Sequence, residues 1–309
     1  LYFGSRNVLG TGWKVFDVAA FTTFLSCFTR LSVKSSSAAK LFNAVHKAQV
    51  SWRRIKPLMK ATPFPETKEE AAGELVLSHV SFSYPGGGTI YRDVSLQAEP
   101  GEIIGVTGAI ACGKSTFGKT FLCEYPYEGS ITFGGRELKE MTDAERSSIG
   151  YLGHDPELFD DTIRNNILLG KDDDPVPLLK AVCLYQEVEE MEQGMDTVVG
   201  NGGIRLSGGQ AKRLALARTL CHKRPVLVLD DPFSALDKET EKQVFASLKK
   251  LAADSIVILL SHRLYLFPQM DQVIFMEKGQ VITGSHESVM KECPEYRRLY
   301  EEQEGGKDR

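Results

Sequence analysis

The stretch Gly108-Ala-Ile-Ala-Cys-Gly-Lys-Ser-Thr116 constrains this chain more than any other. It reads Gly, four residues, Gly-Lys-Ser, the phosphate-loop pattern, and its flanks give the pattern meaning. Upstream, Glu102-Ile-Ile-Gly-Val106 is a short apolar run suited to a buried parallel strand; downstream, Ser115 to Leu122 can continue as a helix. A strand, a glycine-rich turn and a helix start in that order aim successive backbone N–H groups into one concavity, where aligned peptide dipoles favour an anion. Gly108, Ala109, Ala111, Cys112, Gly113, Lys114, Ser115 and Thr116 are the candidate phosphate-binding residues. Lys114 can reach terminal phosphates as a point charge, and the Ser115 hydroxyl suits Mg2+. Nucleotide binding is the first expectation.

The chain of 309 residues has room for one large α/β domain and something smaller. With 42% hydrophobic and 25% charged residues and a net charge of -4, it is ordinary for a globular protein and gives no sign of a nucleic-acid surface. The cysteines form no Cys-x-x-Cys pair, so neither a zinc site nor a disulfide framework is indicated, and a reducing compartment fits. The sequence opens inside apolar residues, Leu1-Tyr-Phe, and reads as a fragment of something longer.

From Gly10 to about Ala61 the pattern is helical, with Val15, Phe16, Val18, Phe21, Phe24 and Phe28 apolar. Its uncharged part runs only from Val18 to Thr29, well short of the ~20 residues that cross a bilayer. An amphipathic helix packed on protein satisfies this window equally. From Arg30 to Lys60, however, every charged residue is basic, the asymmetry of sequence lying just cytoplasmic of a membrane helix. Residues 1–60 are therefore expected to be the end of a transmembrane domain, residues 61–73 a Pro-rich charged linker, 74–304 a nucleotide-binding domain and 305–309 a disordered tail.

Within 74–304, Leu75 to Tyr84 alternates apolar and polar residues like a half-exposed antiparallel strand, and Pro85-Gly-Gly-Gly88 makes a turn. Residues 155–222 read as mostly helical. Two uninterrupted apolar runs, Val226–Leu229 and Ile256–Leu260, are separated by a helical stretch, Lys238 to Leu251, the mark of a parallel sheet covered on both faces. A hairpin, Gln272 to Thr283, and a charged helix close the chain.

Asp230 is the first residue past the Val226–Leu229 run, where a carboxylate can hold the Mg2+ that bridges phosphates, or simply cap the next turn. Asp231 follows, placed to polarise a water. Leu206-Ser-Gly-Gly-Gln210 opens a helix, with Ser207 suited to its N-cap and Gly208 and Gly209 exposing the first N–H groups. Gly108 to Ser115, Leu206 to Gln210, Asp230, Ser234-Ala-Leu-Asp237 and Ser261-His262, in this order, together resemble the motif set of an ABC-transporter nucleotide-binding domain. Thr197-Val-Val-Gly200 resembles the exporter branch. The resemblance covers 74 to about 304, and residues 1–60 look like the last transmembrane helix of such a protein.

The resemblance implies a P-loop α/β ATPase domain with an antiparallel β subdomain and a helical subdomain, on the cytoplasmic side of a cell membrane. Two such domains would clamp head to tail around two ATP molecules, each held between one domain's phosphate loop and the other's Ser207–Gln210 helix. By position, Tyr84 would stack on adenine, although it could equally be a strand aromatic beside Phe82. His262 would contact the terminal phosphate, His154 would face Mg2+, and Asp237 would lie at the dimer interface. Family members usually carry Glu at Asp231, Gln at His154 and Gly at Ala111. Asp sets its carboxylate back by ~1.5 Å, so the expected protein is the slow-site half of a heterodimeric exporter with a second half-transporter, using ATP and Mg2+. A binding-only dimerisation module and a soluble non-transport ABC ATPase are the alternatives.

Overall fold

The computed structural model describes residues 2–12, 17–56, 73–200, 202–234 and 236–305. The linker expected at 61–73 lies outside them except for Gly73, as do Val15, Phe16, Ala235 and residues 306–309. The chain divides into two compact units, Leu1–Phe64 and Pro65–Arg309.

The first unit holds α1 (Tyr2–Val8) and α2 (Val18–Ile55). Where one helix was expected from Gly10, the chain instead turns: Gly10 takes a left-handed φ of 71°, and Thr11 N–H closes the turn on Arg6 O. The second helix starts after Asp17 and, at 38 residues, spans about 57 Å at 1.5 Å per residue. Length alone does not make it a membrane span. Basic residues recur from Arg30 onward, and among the described residues no helix is long and apolar enough to cross a membrane.

The second unit contains an antiparallel sheet and a larger, mainly parallel one. The first orders β2 (Thr89–Ala98), β1 (Leu75–Ser83), β4 (Glu128–Phe133) and β5 (Arg136–Glu137) side by side. The second orders β12 (Gln280–Gly284), β11 (Gln272–Glu277), β3 (Ile103–Gly108), β10 (Ile256–Leu260), β9 (Val226–Asp230) and β6 (Ile149–Leu152), with only β12 antiparallel. A short ladder pairs β7 (Asp161–Thr162) with β8 (Val198–Val199) inside the stretch expected to be mostly helical. Helices α3 (Lys114–Thr120), α4 (Asp143–Arg146), α5 (Ile163–Leu168), α6 (Val176–Ala181), α7 (Tyr185–Glu189), α8 (Gly208–Cys221), α9 (Lys238–Leu251), α10 (His286–Glu292) and α11 (Pro294–Gly305) complete it.

The parallel sheet divides its residues between two cores, because successive side chains in a strand point to opposite faces. Val226 and Val228 of β9 join Ile256, Ile258 and Leu260 of β10 in a core that includes Phe117 of α3, Phe121 just beyond it, and the antiparallel sheet. Leu227, Leu229, Val257 and Leu259 join Leu214 and Leu216 of α8 and Val244 and Leu248 of α9. Both faces are buried, which is why β9 and β10 read as unbroken apolar runs. The helices that begin with the phosphate loop and with Ser207–Gln210 thus cover opposite faces of one sheet.

Candidate functional site

Strand register builds the site. Leu260 of β10 pairs with Val106 of β3 on one side and Asp230 of β9 on the other, and Leu152 of β6 pairs with Leu229. The hydrogen bonding continues one step further, with Ser261 N–H donating to Val106 O and Asp231 N–H donating to Leu260 O. Gly108, His262, Asp230, Asp231 and His154 therefore emerge along one edge of the sheet, the carboxyl edge where ligands bind in open α/β folds.

The loop after β3 uses its glycines where a side chain has no room. A Cβ on Gly108 would lie 2.1 Å from Met276 O, and one on Gly113 2.2 Å from Ile90 Cγ2. Ala111 nevertheless adopts φ of 62°, a left-handed conformation costing an L-residue roughly 1–2 kcal/mol. This gives the physical reason for a Gly preference at that position. Lys114 Nζ donates to the carbonyls of Gly108 at 3.1 Å and Ala109 at 3.2 Å, and lies 3.8 Å from Cys112 Sγ. Gly113 caps α3 without a side chain, so the first-turn N–H groups around Ser115 and Thr116 are not taken by a side-chain cap. Tyr84 packs edge-on against Phe82, centroids 4.9 Å apart, and its hydroxyl meets that of Thr116 at 3.2 Å. Tyr84 thus packs as a strand aromatic beside Phe82 while its hydroxyl reaches the phosphate loop. Ile110, to which the sequence assigned no role, is 96% exposed at the loop's tip.

Asp231 has a left-handed φ of 51°, which turns its carboxylate back over the strand ends. One oxygen lies 3.3 Å from His262 Nδ1 and the other 3.8 Å from His154 Nδ1. Burial pushes this carboxyl up, but His262 first, then Lys212 and His154, outweigh it and hold it below the ordinary carboxylate value. Lys212, from the first turns of α8, also donates to the Ser234 hydroxyl at 2.5 Å; nothing in the linear sequence pointed to it.

Asp230 is buried and accepts from the Tyr151 hydroxyl at 3.3 Å. Burial and the Asp230 charge push the Tyr151 phenol up, so it stays a donor at neutral pH. A hard divalent cation such as Mg2+ takes oxygen ligands and keeps several waters. The Ser115 hydroxyl and the buried Asp230 carboxylate, both oxygen donors, fit that chemistry. His154 offers a nitrogen instead, and its Nδ1 lies 3.8 Å from the Asp231 carboxylate. Among the described residues no cluster of three or more His, Cys, Asp or Glu could hold a metal by itself.

Ser207 and Gln210 form a capping box, with Gln210 N–H donating to Ser207 Oγ and Ser207 N–H donating to Gln210 Oε1. Gln210 also donates to Glu187, which pairs with Arg213 at 2.6 Å. The start of α8 is thus rigid and open: a Cβ on Gly208 would meet nothing within 4 Å, while Gly209 follows inside the first turn. Among the described residues no hydrogen bond or ion pair joins this helix start to the phosphate loop. Asp237 caps α9, accepting from the N–H groups of Glu239 and Thr240 and from the Thr240 hydroxyl.

Residues 91–234 match the family described as ABC transporter. The probable multidrug resistance ABC transporter ATP-binding/permease protein YheI of Bacillus subtilis is 32% identical over 98% of this chain and 55% of its own length. The ATP-dependent lipid A-core flippase of Alkalilimnicola ehrlichii is 31% identical over 85% of this chain and 47% of its own length. The ATP-binding cassette sub-family B member 6 of Xenopus tropicalis is 34% identical over 77% of this chain and 29% of its own. The chain thus spans about half or less of these relatives. In fold it is similar to a bacterial Atm1-family ABC exporter solved with ATP bound, with a TM-score of 0.78 at 24% identity over 96% of this chain and 55% of that one. The register-built carboxyl edge, the capped helix start and these likenesses agree: the chain carries an ABC transporter ATP-binding domain, similar to those of the exporter branch.

Proposed function

We propose that this chain binds ATP with Mg2+ at its phosphate loop and, in a membrane exporter, supplies the slower of two hydrolytic sites together with a second, non-identical half-transporter. One observation carries the reading: the carboxylate beside buried Asp230 is an Asp, one methylene short, held between two histidines. Misplacement on the order of 1 Å can cost ~10²-fold in rate.

In this reading Lys114 and the first N–H groups of α3 hold the phosphates. Asp231, kept ionised, orients the attacking water, and His262 contacts the terminal phosphate. Ser115 and Asp230 would hold Mg2+, which when bound offsets phosphate charge. Ser207 to Gln210 serves the partner's nucleotide, because α8 covers the face of the sheet opposite α3, and Asp237 lies at the interface between the two domains. Export is supported by relatives named as transporter and flippase. Residues 1–60 are read as the cytoplasmic end of a transmembrane domain, supported by the basic run from Arg30.

Single-turnover hydrolysis in a pair whose other phosphate loop has lost its Lys tests this directly. ATP retained and hydrolysed slowly is the expected result; fast turnover by this chain as a homodimer would overturn it. The same short carboxylate also favours a second reading, an ATP-held dimer with little turnover. Complete absence of product in that experiment would select it.

A further inference from the structure

The backbone around His262 is held from outside its own strand. Gln303, in the last turns of α11, accepts from Leu264 N–H at 2.7 Å and donates to His262 O at 2.8 Å. One planar amide thus spans the residues on both sides of Arg263, from 41 positions along the chain. Arg263 ties the same turn in a second direction. Its guanidinium donates to Ser234 O at 2.9 Å and Leu236 O at 2.8 Å, and pairs with the fully buried Glu241. The turn is therefore fastened to the Asp231–Asp237 stretch by Arg263 and to the C-terminal helix by Gln303.

That helix is itself seated. Tyr296 is buried, its ring 5.5 Å from Phe275 and its hydroxyl 2.8 Å from His286 Nδ1. About two turns later, Glu304 pairs with Lys238 at 3.3 Å, directly after Asp237. Gln303 sits between these anchors.

We infer that Gln303 is a positioning residue: it fixes the His262 backbone so that the ring stays on Asp231 and toward the terminal phosphate of ATP. The end of the C-terminal helix then belongs to the support of the site. This rests on the proposed role of His262. The competing account is that the two bonds only satisfy backbone groups at a strand end, and the two differ in what they do to nucleotide preference. Gln303 is exposed, so its replacement opens no core.

The full chain and its Gln303→Leu, Gln303→Glu, His262→Ala and His262→Ala/Gln303→Leu variants are titrated with ATP and with ADP, each with Mg2+. The wild type should prefer ATP. Each single variant should lose about tenfold in ATP affinity, the scale of one hydrogen bond to a charged group, with ADP affinity unchanged. Gln303→Glu is included because it keeps the acceptor for Leu264 N–H while setting a carboxylate against His262 O. The double variant should be no worse than His262→Ala, as expected of residues acting through one contact. The proposal is overturned if His262→Ala loses the preference while the Gln303 variants keep it, if the double variant loses the sum, or if Gln303→Leu weakens ATP and ADP equally. A wild type without preference would instead sink the His262 reading, and this inference with it.

Discussion

Asp231 and His262 meet at 3.3 Å across the ends of two paired strands. The contact follows from register: with Leu260 opposite Asp230, the next residues of β9 and β10 leave the sheet together. The left-handed turn at Asp231 then brings its carboxylate over the histidine. Lengthening this side chain is the most direct probe of the site. Asp231→Glu advances the carboxylate by ~1.5 Å and is expected to raise own-site turnover by up to ~10²-fold. Phosphate release from a pair with the other site disabled measures it, and an unchanged rate speaks against the slow-site reading.

The same carboxylate carries a pH signature. Its folded-state pKa is depressed, so its contribution to stability is present above the ordinary carboxylate value, about pH 4, and is lost as pH falls through the lower folded value. Asp231→Asn should therefore narrow the stability difference between neutral and acid pH. Urea unfolding midpoints of both proteins at about pH 6 and about pH 3 provide the check.

Ala111 holds a conformation that glycine adopts freely. Ala111→Gly should relieve roughly 1–2 kcal/mol of strain while restoring unfolded-chain entropy worth roughly 0.4–1 kcal/mol, a net gain of about 0.5 kcal/mol. Thermal unfolding should move upward by about a degree or two. A lower midpoint would show that the methyl group is packed favourably.

Ser207→Ala removes the capping box of α8 and is expected to cost about 1 kcal/mol in stability. Nucleotide affinity at this chain's own loop should be unchanged, since α8 covers the other face of the sheet. Hydrolysis at a partner's site should fall. Fluorescent-nucleotide titration of the single chain, set beside turnover of the assembled pair, separates the two effects.

Cys112 Sγ lies 3.8 Å from the Lys114 ammonium in the phosphate loop. Bound ATP should protect it from alkylation, and Cys112→Ala should abolish the ATP-sensitive labelling, read peptide by peptide by mass spectrometry. Labelling at that peptide indifferent to ATP would count against nucleotide binding at this loop.

The parallel sheet was legible because its evidence is local. β9 and β10 are unbroken apolar runs, and α9 lies between them over the expected span, Lys238 to Leu251. The loop glycines were equally readable, each being required by a close approach or a positive φ. The helix expected from Gly10 is found from Val18 to Ile55, but its start was placed too early, because apolar periodicity continues across Gly10 and Gly12 where the backbone turns. The β7–β8 ladder was missed because two-residue strands leave no period to read. The role of His154 toward Mg2+ came from the resemblance alone, and its place beside Asp231 is visible only in the fold. Lys212, Arg263 and Gln303 could not be singled out at all. Their partners stand 22 to 41 residues away, and nothing short of the tertiary fold specifies such pairs.

The division of the central sheet between two cores bears on how such a chain can change over time. Deleting one residue within β9 would exchange the faces of Val226 to Leu229 and draw Asp230 and Asp231 back from the edge they share with His262 and Gly108. Substitutions there are graded in their damage, but a change of length is not. Descent with insertions and deletions is confined to the connections between strands, and any homologue that keeps this site must keep the residue count of β3, β9 and β10 up to it.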